Sequence, residues 1–162
     1  MSERIPNLTV ENAHIVFRNF AGKESKFNPA GKRNFCLLLD PDSAEELRDQ
    51  GWNVKALAPR EAGDNPQPYI QVAVAFENYP PNVFLISGGK KTKLDEETVS
   101  VLDYAEIENV DLIINPSRWE VSGKSGIKAY LKTMYVTIVE NEFEKKYKDL
   151  EEDNDEVPFY MN

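Results

Sequence analysis

Two kinds of side chain in this sequence are placed to do chemistry, and they point in different directions. The first is a scatter of carboxylates at Asp40, Asp42, Asp95, Glu96, Glu97 and Asp103, the residue types that a two-metal nuclease uses to hold its ions. Each has a simpler use. Asp42 and Asp95 stand where helices are expected to begin, where a carboxylate meets free backbone N–H groups, and the others fall on polar faces. The one histidine, His14, alternates with apolar neighbours and reads as structural, while the one cysteine, Cys36, lies inside an apolar run as a small buried hydrophobe. No nucleophile elbow, phosphate loop, zinc-protease helix or CxxC pattern is present, so nucleophilic, phosphate-loop and zinc chemistry lack their parts. The expectation is a protein that is not an enzyme and holds no metal or cofactor.

The second kind is a set of cations interleaved with aromatic rings, the pairing that nucleic-acid binding needs: bases to meet phosphates and rings to stack on nucleobases. In FRNFAGKESKFNPAGKRNF, residues 17–35, Arg18, Lys23, Lys26, Lys32 and Arg33 alternate with Phe20 and Phe27. This reads as a flexible basic loop between two strands, with exposed aromatics that could follow a single strand. In RWEVSGKSGIKAYLK, residues 118–132, side chains of a strand alternate between faces, so Lys128, Tyr130 and Lys132 share one face and Ile127, Ala129 and Leu131 the other. Trp119 and Lys124 belong to the same hairpin. A third basic loop, GGKKTK at residues 88–93, adds Lys90, Lys91 and Lys93. Each piece alone has an ordinary explanation, since a Tyr between two Lys is commonly a solvated face and a Trp most often packs in a core. Three such segments on one acidic chain fit a groove better than uniform surface charging.

The overall charge hides this pattern. The 162 residues carry 19 Lys and Arg against 28 Asp and Glu, a formal net charge of -9, which taken whole argues against a nucleic-acid partner. Residues 149–162 hold six of the acids and no base; the remainder has 19 bases against 22 acids, a net of -3. Within it, residues 18–34 carry five bases and one acid, and residues 118–135 four bases and one acid. No apolar segment approaches the length of a membrane span, and MSERIPNLTV has no signal-peptide pattern, so the expected compartment is the cytoplasm.

The elements that must position these groups are mostly strands. Short runs rich in Val, Ile, Tyr and Phe, separated by Gly, Pro and Asn, predict strands at 8–17, 33–39, 52–57, 69–77, 83–87, 110–116, 118–122 and 126–139. A helix is predicted over 43–50, with Ser43 and Glu46 as a capping box and Gly51 as the stop. A second is predicted over 96–104 opened by Asp95, and a third over 141–150. The 118–139 segment reads as a hairpin with a five-residue turn at 122–126. Its second strand changes phase from Ile127, Ala129, Leu131 to Met134, Val136, Ile138, which requires a bulge near Thr133. A long bent strand among many short ones predicts a mainly β, OB-like barrel with a few short helices, a β-sandwich being the competitor. Residues 1–148 form the expected nucleic-acid-binding domain.

Residues 149–162 read as a disordered acidic tail, because self-repulsion and few large apolar groups leave too little buried surface to offset the entropy lost on ordering. Its last part, Val157 to Phe159, is apolar, and an acidic lead followed by a hydrophobic plug suits recognition by a basic, grooved partner.

With these residues in place a resemblance emerges. The stretches KFNPAGKRNFCLLLD, GWNVKAL, PYIQVAVAF and GKSGIKAYLKTMYV, across most of residues 15–140, resemble bacteriophage single-stranded DNA-binding proteins of the OB-fold type. The ending DNDEVPF, residues 153–159, is similar to the acidic tails of bacterial and phage single-stranded DNA-binding proteins, the bacterial ones finishing in Pro-Phe. Here Tyr160, Met161 and Asn162 follow Phe159, so the Phe carries no terminal carboxylate. The resemblance implies coating and protection of single-stranded DNA during phage replication or recombination, without strong sequence specificity. It also implies a tail that recruits replication or recombination proteins through Asp153, Asp155, Glu156, Val157, Pro158 and Phe159. A sheet edge or the third helix could also mediate homo-oligomer formation. Two readings of other classes remain: a protein-interaction module that mimics DNA with its acidity, and a metal-dependent nuclease. Single-stranded RNA would suit the same stacking surface.

Overall fold

The computed structural model describes residues 5–26, 28–59, 61–77 and 79–139. The predicted third helix, the 148/149 domain boundary, the acidic tail and Phe27 lie outside the described residues. In chain order the elements are β1 (Leu8–Val10), β2 (Ile15–Asn19), β3 (Arg33–Leu38), α1 (Pro41–Gln50), β4 (Lys55–Leu57), β5 (Gln67–Val74), β6 (Asn82–Ser87), β7 (Lys90–Leu94), a 3₁₀ turn (Val99–Asp103), β8 (Ile107–Val121) and β9 (Lys124–Ile138). The strands join in the order β1-β8-β9-β5-β3-β2, with β4 on β5, β6 on β9 and β7 on β6. The fold is mainly β and OB-like, as the strand pattern predicts.

β9 organises the sheet. Its whole length pairs antiparallel with β8, its first half runs parallel to β5 at Ala129 and Tyr130, and its second half runs parallel to β6 from Thr133 to Thr137. The exchange of partners occurs at a bulge. Consecutive residues Ile113 and Ile114 of β8 face Thr133 and Leu131, leaving Lys132 as the extra residue. That one insertion resets the alternation, so Ile127, Ala129 and Leu131 before it and Met134 and Val136 after it all point into the core. The expected bulge is therefore real and sits at Lys132.

The core joins these residues to Phe20, Phe35, Leu37, Ile70, Val72, Val83, Val110 and Ile114, and α1 covers part of it with Ala44 and Leu47. Each such aliphatic or aromatic side chain contributes about 1.5–3 kcal/mol by leaving water. α1 begins at Pro41, two residues before the prediction, because Asp40 is the N-cap: its carboxylate accepts from the Ser43 N–H at 2.8 Å and from Ser43 Oγ at 2.9 Å. Gly51, at φ 101°, ends the helix in the left-handed conformation that a Cβ disfavours.

Several boundaries differ from the sequence reading for local reasons. The predicted strand over 8–17 is two strands, broken at Asn12, whose φ is 54° and whose N–H donates to Asp111 Oδ1; His14 lies exposed in that link. Pro116 does not interrupt β8, because β1 pairs only with Leu112 to Ile114 and leaves the strand an edge from Asn115 onward, where a missing N–H is tolerated. Only Lys55–Leu57 of the predicted 52–57 strand forms a ladder, with Trp52 making a single bridge to Ile127. The second predicted helix is a short 3₁₀ turn, entered through Asp95, whose Oδ1 accepts from the N–H groups of Glu97 and Thr98 and from Thr98 Oγ.

Candidate nucleic-acid interface

The β8–β9 hairpin closes more tightly than predicted. Val121 faces Lys124 directly, so the turn is two residues, Ser122 and Gly123, both with positive φ at 52° and 79°, the geometry that matches the twist of the flanking strands. The ladder therefore continues to the tip and fixes Trp119 opposite Gly126. That glycine is a steric requirement: a Cβ there would stand 2.9 Å from Trp119 Cζ2 and 3.0 Å from its Nε1. The indole lies across the bare backbone of β9 and remains 42% exposed.

Beside the indole is a groove of about 400 Å³. One bank is the segment before and into β3, with Asn28, Pro29, Lys32, Arg33 and Asn34; the other is Trp119 with Ile127, Lys128 and Ala129. Trp52, Asn53, Ile70, Gln71 and Ala73 complete the lining. Trp52 is anchored, its backbone N–H bonded to Leu47 O at 3.0 Å and its indole N–H to Gln50 Oε1 at 3.0 Å. Asn53 and Gln71 are exposed, and their amides can both donate and accept. Cations on both banks, an open indole face and free amides can neutralise a phosphate chain, stack a base and bond its edges.

The β2–β3 loop that forms the first bank is stitched rather than loose. Asn28 Nδ2 donates to the carbonyls of Lys32 and Lys23 at 2.9 and 3.1 Å, Asn28 Oδ1 accepts from Asn34 Nδ2 at 2.9 Å, and Asn19 Oδ1 accepts from the Lys23 N–H at 2.9 Å. Gly31 N–H reaches Gly22 O at 2.8 Å. At Gly22, with φ 72°, a Cβ would press to 3.2 Å from the backbone of Gly31, so the close approach requires glycine.

The candidate residues thus fall into groups. Lys32, Arg33, Trp119 and Lys128 converge on the groove. Arg33 lies 3.4 Å from Glu96 and 5.5 Å over the Phe76 ring. Tyr130 adjoins the groove, half-buried beneath Lys128, whose ammonium is 5.1 Å from its centroid. Lys124 at the tip and Lys132 at the bulge are exposed on the same strand, and Lys26 is exposed on the loop. Phe20 must be corrected: it is wholly buried and stacked on Phe35 at 5.4 Å between centroids, so no base can reach it. Arg18 is also redirected, its Nη1 donating to the carbonyls of Leu102 and Ala105, both at 2.8 Å. Lys23 turns to Tyr104 and bonds its hydroxyl, and that bond holds the ammonium pKa above its ordinary value. Lys90, Lys91 and Lys93 form β7, a strand rather than a loop, away from the groove lining.

Sequence reasoning did not select Asn28, Asn34, Asn53 or Gln71 for the groove. Gln71 carried a usable signal, since it alternates with Ile70 and Val72 and must face outward. Cys36 is buried, which pushes its thiol pKa up. Among the described residues no three His, Cys, Asp or Glu side chains gather so as to hold a metal ion, and no helix is long and apolar enough to cross a membrane.

Comparison with known proteins identifies the family and the fold. Residues 1–159 match the family described as a phage ssDNA-binding domain. Among solved structures, a C-terminally truncated single-stranded DNA-binding protein from bacteriophage Enc34 is similar with a TM-score of 0.54 at 14% identity, over 83% of this chain and 87% of that one. The same phage protein in complex with ssDNA gives a TM-score of 0.54 at 14% identity, over 83% and 88% of the two chains. No curated protein sequence matches. The chain belongs to the phage ssDNA-binding domain family.

Proposed function

We propose that this member of the phage ssDNA-binding family coats single-stranded DNA during phage replication or recombination, with little sequence preference and without chemical conversion of the strand. The observation that carries the reading is the convergence of Lys32, Arg33 and Lys128 around an indole with an open face. Cations on two banks release counterions from the backbone, and stacking on Trp119 contributes about 1–3 kcal/mol per base while accepting any base. Tyr130, Lys124 and Lys132 extend the contact along β9. Duplex hides its base faces and gains only the phosphate term. The ssDNA complex of the Enc34 protein, which has the same fold, supports the choice of ligand.

The proposed domain division is residues 1–148 for binding and 149–162 for a tail with two tasks. Its six acids and no base compete for the groove when DNA is absent, and Val157, Pro158 and Phe159 engage replication or recombination proteins once DNA displaces it.

Fluorescence anisotropy of labelled oligo-dT, with an equal-length duplex beside it, tests the reading. Single-strand affinity should exceed duplex affinity and fall steeply with added salt. No single-strand binding at low salt, in the full chain or with residues 149–162 deleted, would overturn it and favour the DNA-mimic reading.

A further inference from the structure

We propose that the outer face of β6, β7 and the second half of β9 carries a second base-stacking platform, so that one DNA strand runs from the groove across the Lys132 bulge to this platform. The proposal rests on the single-strand reading of the groove and extends it. Its centre is a pair of rings that no sequence pattern brought together. Phe84 of β6 and Tyr135 of β9 are register partners, and their rings stack at 5.0 Å between centroids with 13° between planes. On the β7 side Lys91 places its ammonium 5.0 Å from the Phe84 centroid. Because β7 and β9 flank β6, cation and second ring approach Phe84 from opposite sides. The result is a column, Lys91 over Phe84 over Tyr135.

Tyr135 ends that column. It remains 37% exposed, and Phe84 is its ring partner among the described residues, so a nucleobase added on its far side continues the stack. Lys93, the partner of Phe84 on β7, and Lys91 supply positive charge for the phosphates. The carboxylate opposite Tyr135 on β8, that of Asp111, accepts the Asn12 N–H at 2.9 Å. The β6–β7 connection is the two-residue turn Gly88 and Gly89, at φ 59° and 79°, which keeps both strands in ladder to their ends and holds the lysines in place.

Continuity with the groove comes from β9. Lys128 and Tyr135 belong to one strand and stand on the order of 20 Å apart along it. Lys132, exposed at the bulge between them, lies where a bridging phosphate would pass. Two stacking sites joined by cations predict a footprint longer than the groove alone provides.

The test is the length dependence of binding, with oligo-dT from about 4 to about 16 nucleotides, the span of single OB folds. For the unaltered protein, affinity should keep rising after the groove is filled. Lys91→Glu, which changes only an exposed residue, and Tyr135→Ser should lose on the order of tenfold on the longest oligomer and nothing on the shortest. Trp119→Ala should lose at every length. Variants that track the unaltered protein at all lengths, or lose equally at all lengths, would overturn the platform while leaving the groove intact. If the unaltered protein binds no oligomer, the groove reading falls and the platform falls with it.

Discussion

The β2–β3 loop and the β8–β9 hairpin look alike in sequence, each a run of cations interleaved with aromatic rings, yet the fold uses them differently. In the hairpin the ladder persists to the tip, so alternation decides which side each residue takes. Trp119 and Lys128 stand exposed at the groove, while Leu131 enters the core. In the loop no period exists, and the cations and rings divide by tertiary context. Phe20 goes to the core and Lys23 to Tyr104, leaving Lys32 for the groove; at the flanking strand ends Arg18 of β2 goes to two carbonyls and Arg33 of β3 to the groove. A basic, aromatic segment therefore announces a binding face only where the backbone fixes the facing of its side chains.

The sharpest way to break this contrast is to truncate one aromatic from each region. Phe20→Ala should destabilise the fold by about 3–5 kcal/mol, as expected for a buried aromatic, read by chemical denaturation. Trp119→Ala should leave the denaturation midpoint nearly unchanged and weaken oligo-dT binding by about 1–3 kcal/mol, roughly 5- to 150-fold. Equal stability losses would erase the distinction.

The cations sharpen it further. Arg18→Gln removes charge-assisted bonds to two carbonyls and should cost about 1.5–3 kcal/mol of stability, with the salt slope of binding unmoved. Lys128→Gln and Lys32→Gln should each reduce that slope by about one while leaving stability within about 0.5 kcal/mol. A slope that changes with Arg18 and not with Lys128 would place the phosphates elsewhere.

Gly126→Ala probes the hairpin more gently. The added Cβ must push the Trp119 ring from its seat against β9, so DNA affinity should fall by less than on deleting the ring, with the thermal midpoint little altered. Binding equal to that of the unaltered protein would mean the seat of the indole is irrelevant.

The smallest effect is a pH dependence shared by neither region. The Ser43 backbone N–H, then its hydroxyl, hold Asp40 below the usual carboxylate range, and the Thr98 hydroxyl, then its N–H, do the same for Asp95. A carboxyl with a depressed folded-state pKa contributes stability above its unfolded pKa and loses it as pH falls through the folded value. Acid titration of stability should show this loss beginning as pH falls into the ordinary Asp range and finishing below it. Asp40→Asn, which keeps a capping oxygen, should flatten its share; an unchanged acid limb would refute the capping role.

What was legible in the sequence follows the same physical line. The phase change along β9 gave the bulge to within a residue, because alternation with a period of two makes any insertion visible. The mainly β, OB-like architecture followed from the strand pattern. The sequence predicts a five-residue turn where the hairpin has two, since positive φ at Ser122 is a backbone property that its side chain does not announce. The separation predicted between 110–116 and 118–122 is absent, since the edge position that tolerates Pro116 within β8 is a tertiary fact. The Phe84 and Tyr135 stack and the anchoring of Arg18 join residues far apart in the chain, and no local pattern encodes such pairs.

5-Fluorotryptophan labelling with ¹⁹F NMR tests whether Trp119 stacks on bases in the groove. Trp119 and Trp52 are the two tryptophans, so two resonances are expected, assigned with Trp119→Phe. On titration with oligo-dT, the account predicts a large shift or broadening of the Trp119 resonance that saturates with binding measured by anisotropy. Saturated binding with the Trp119 resonance unmoved would contradict it.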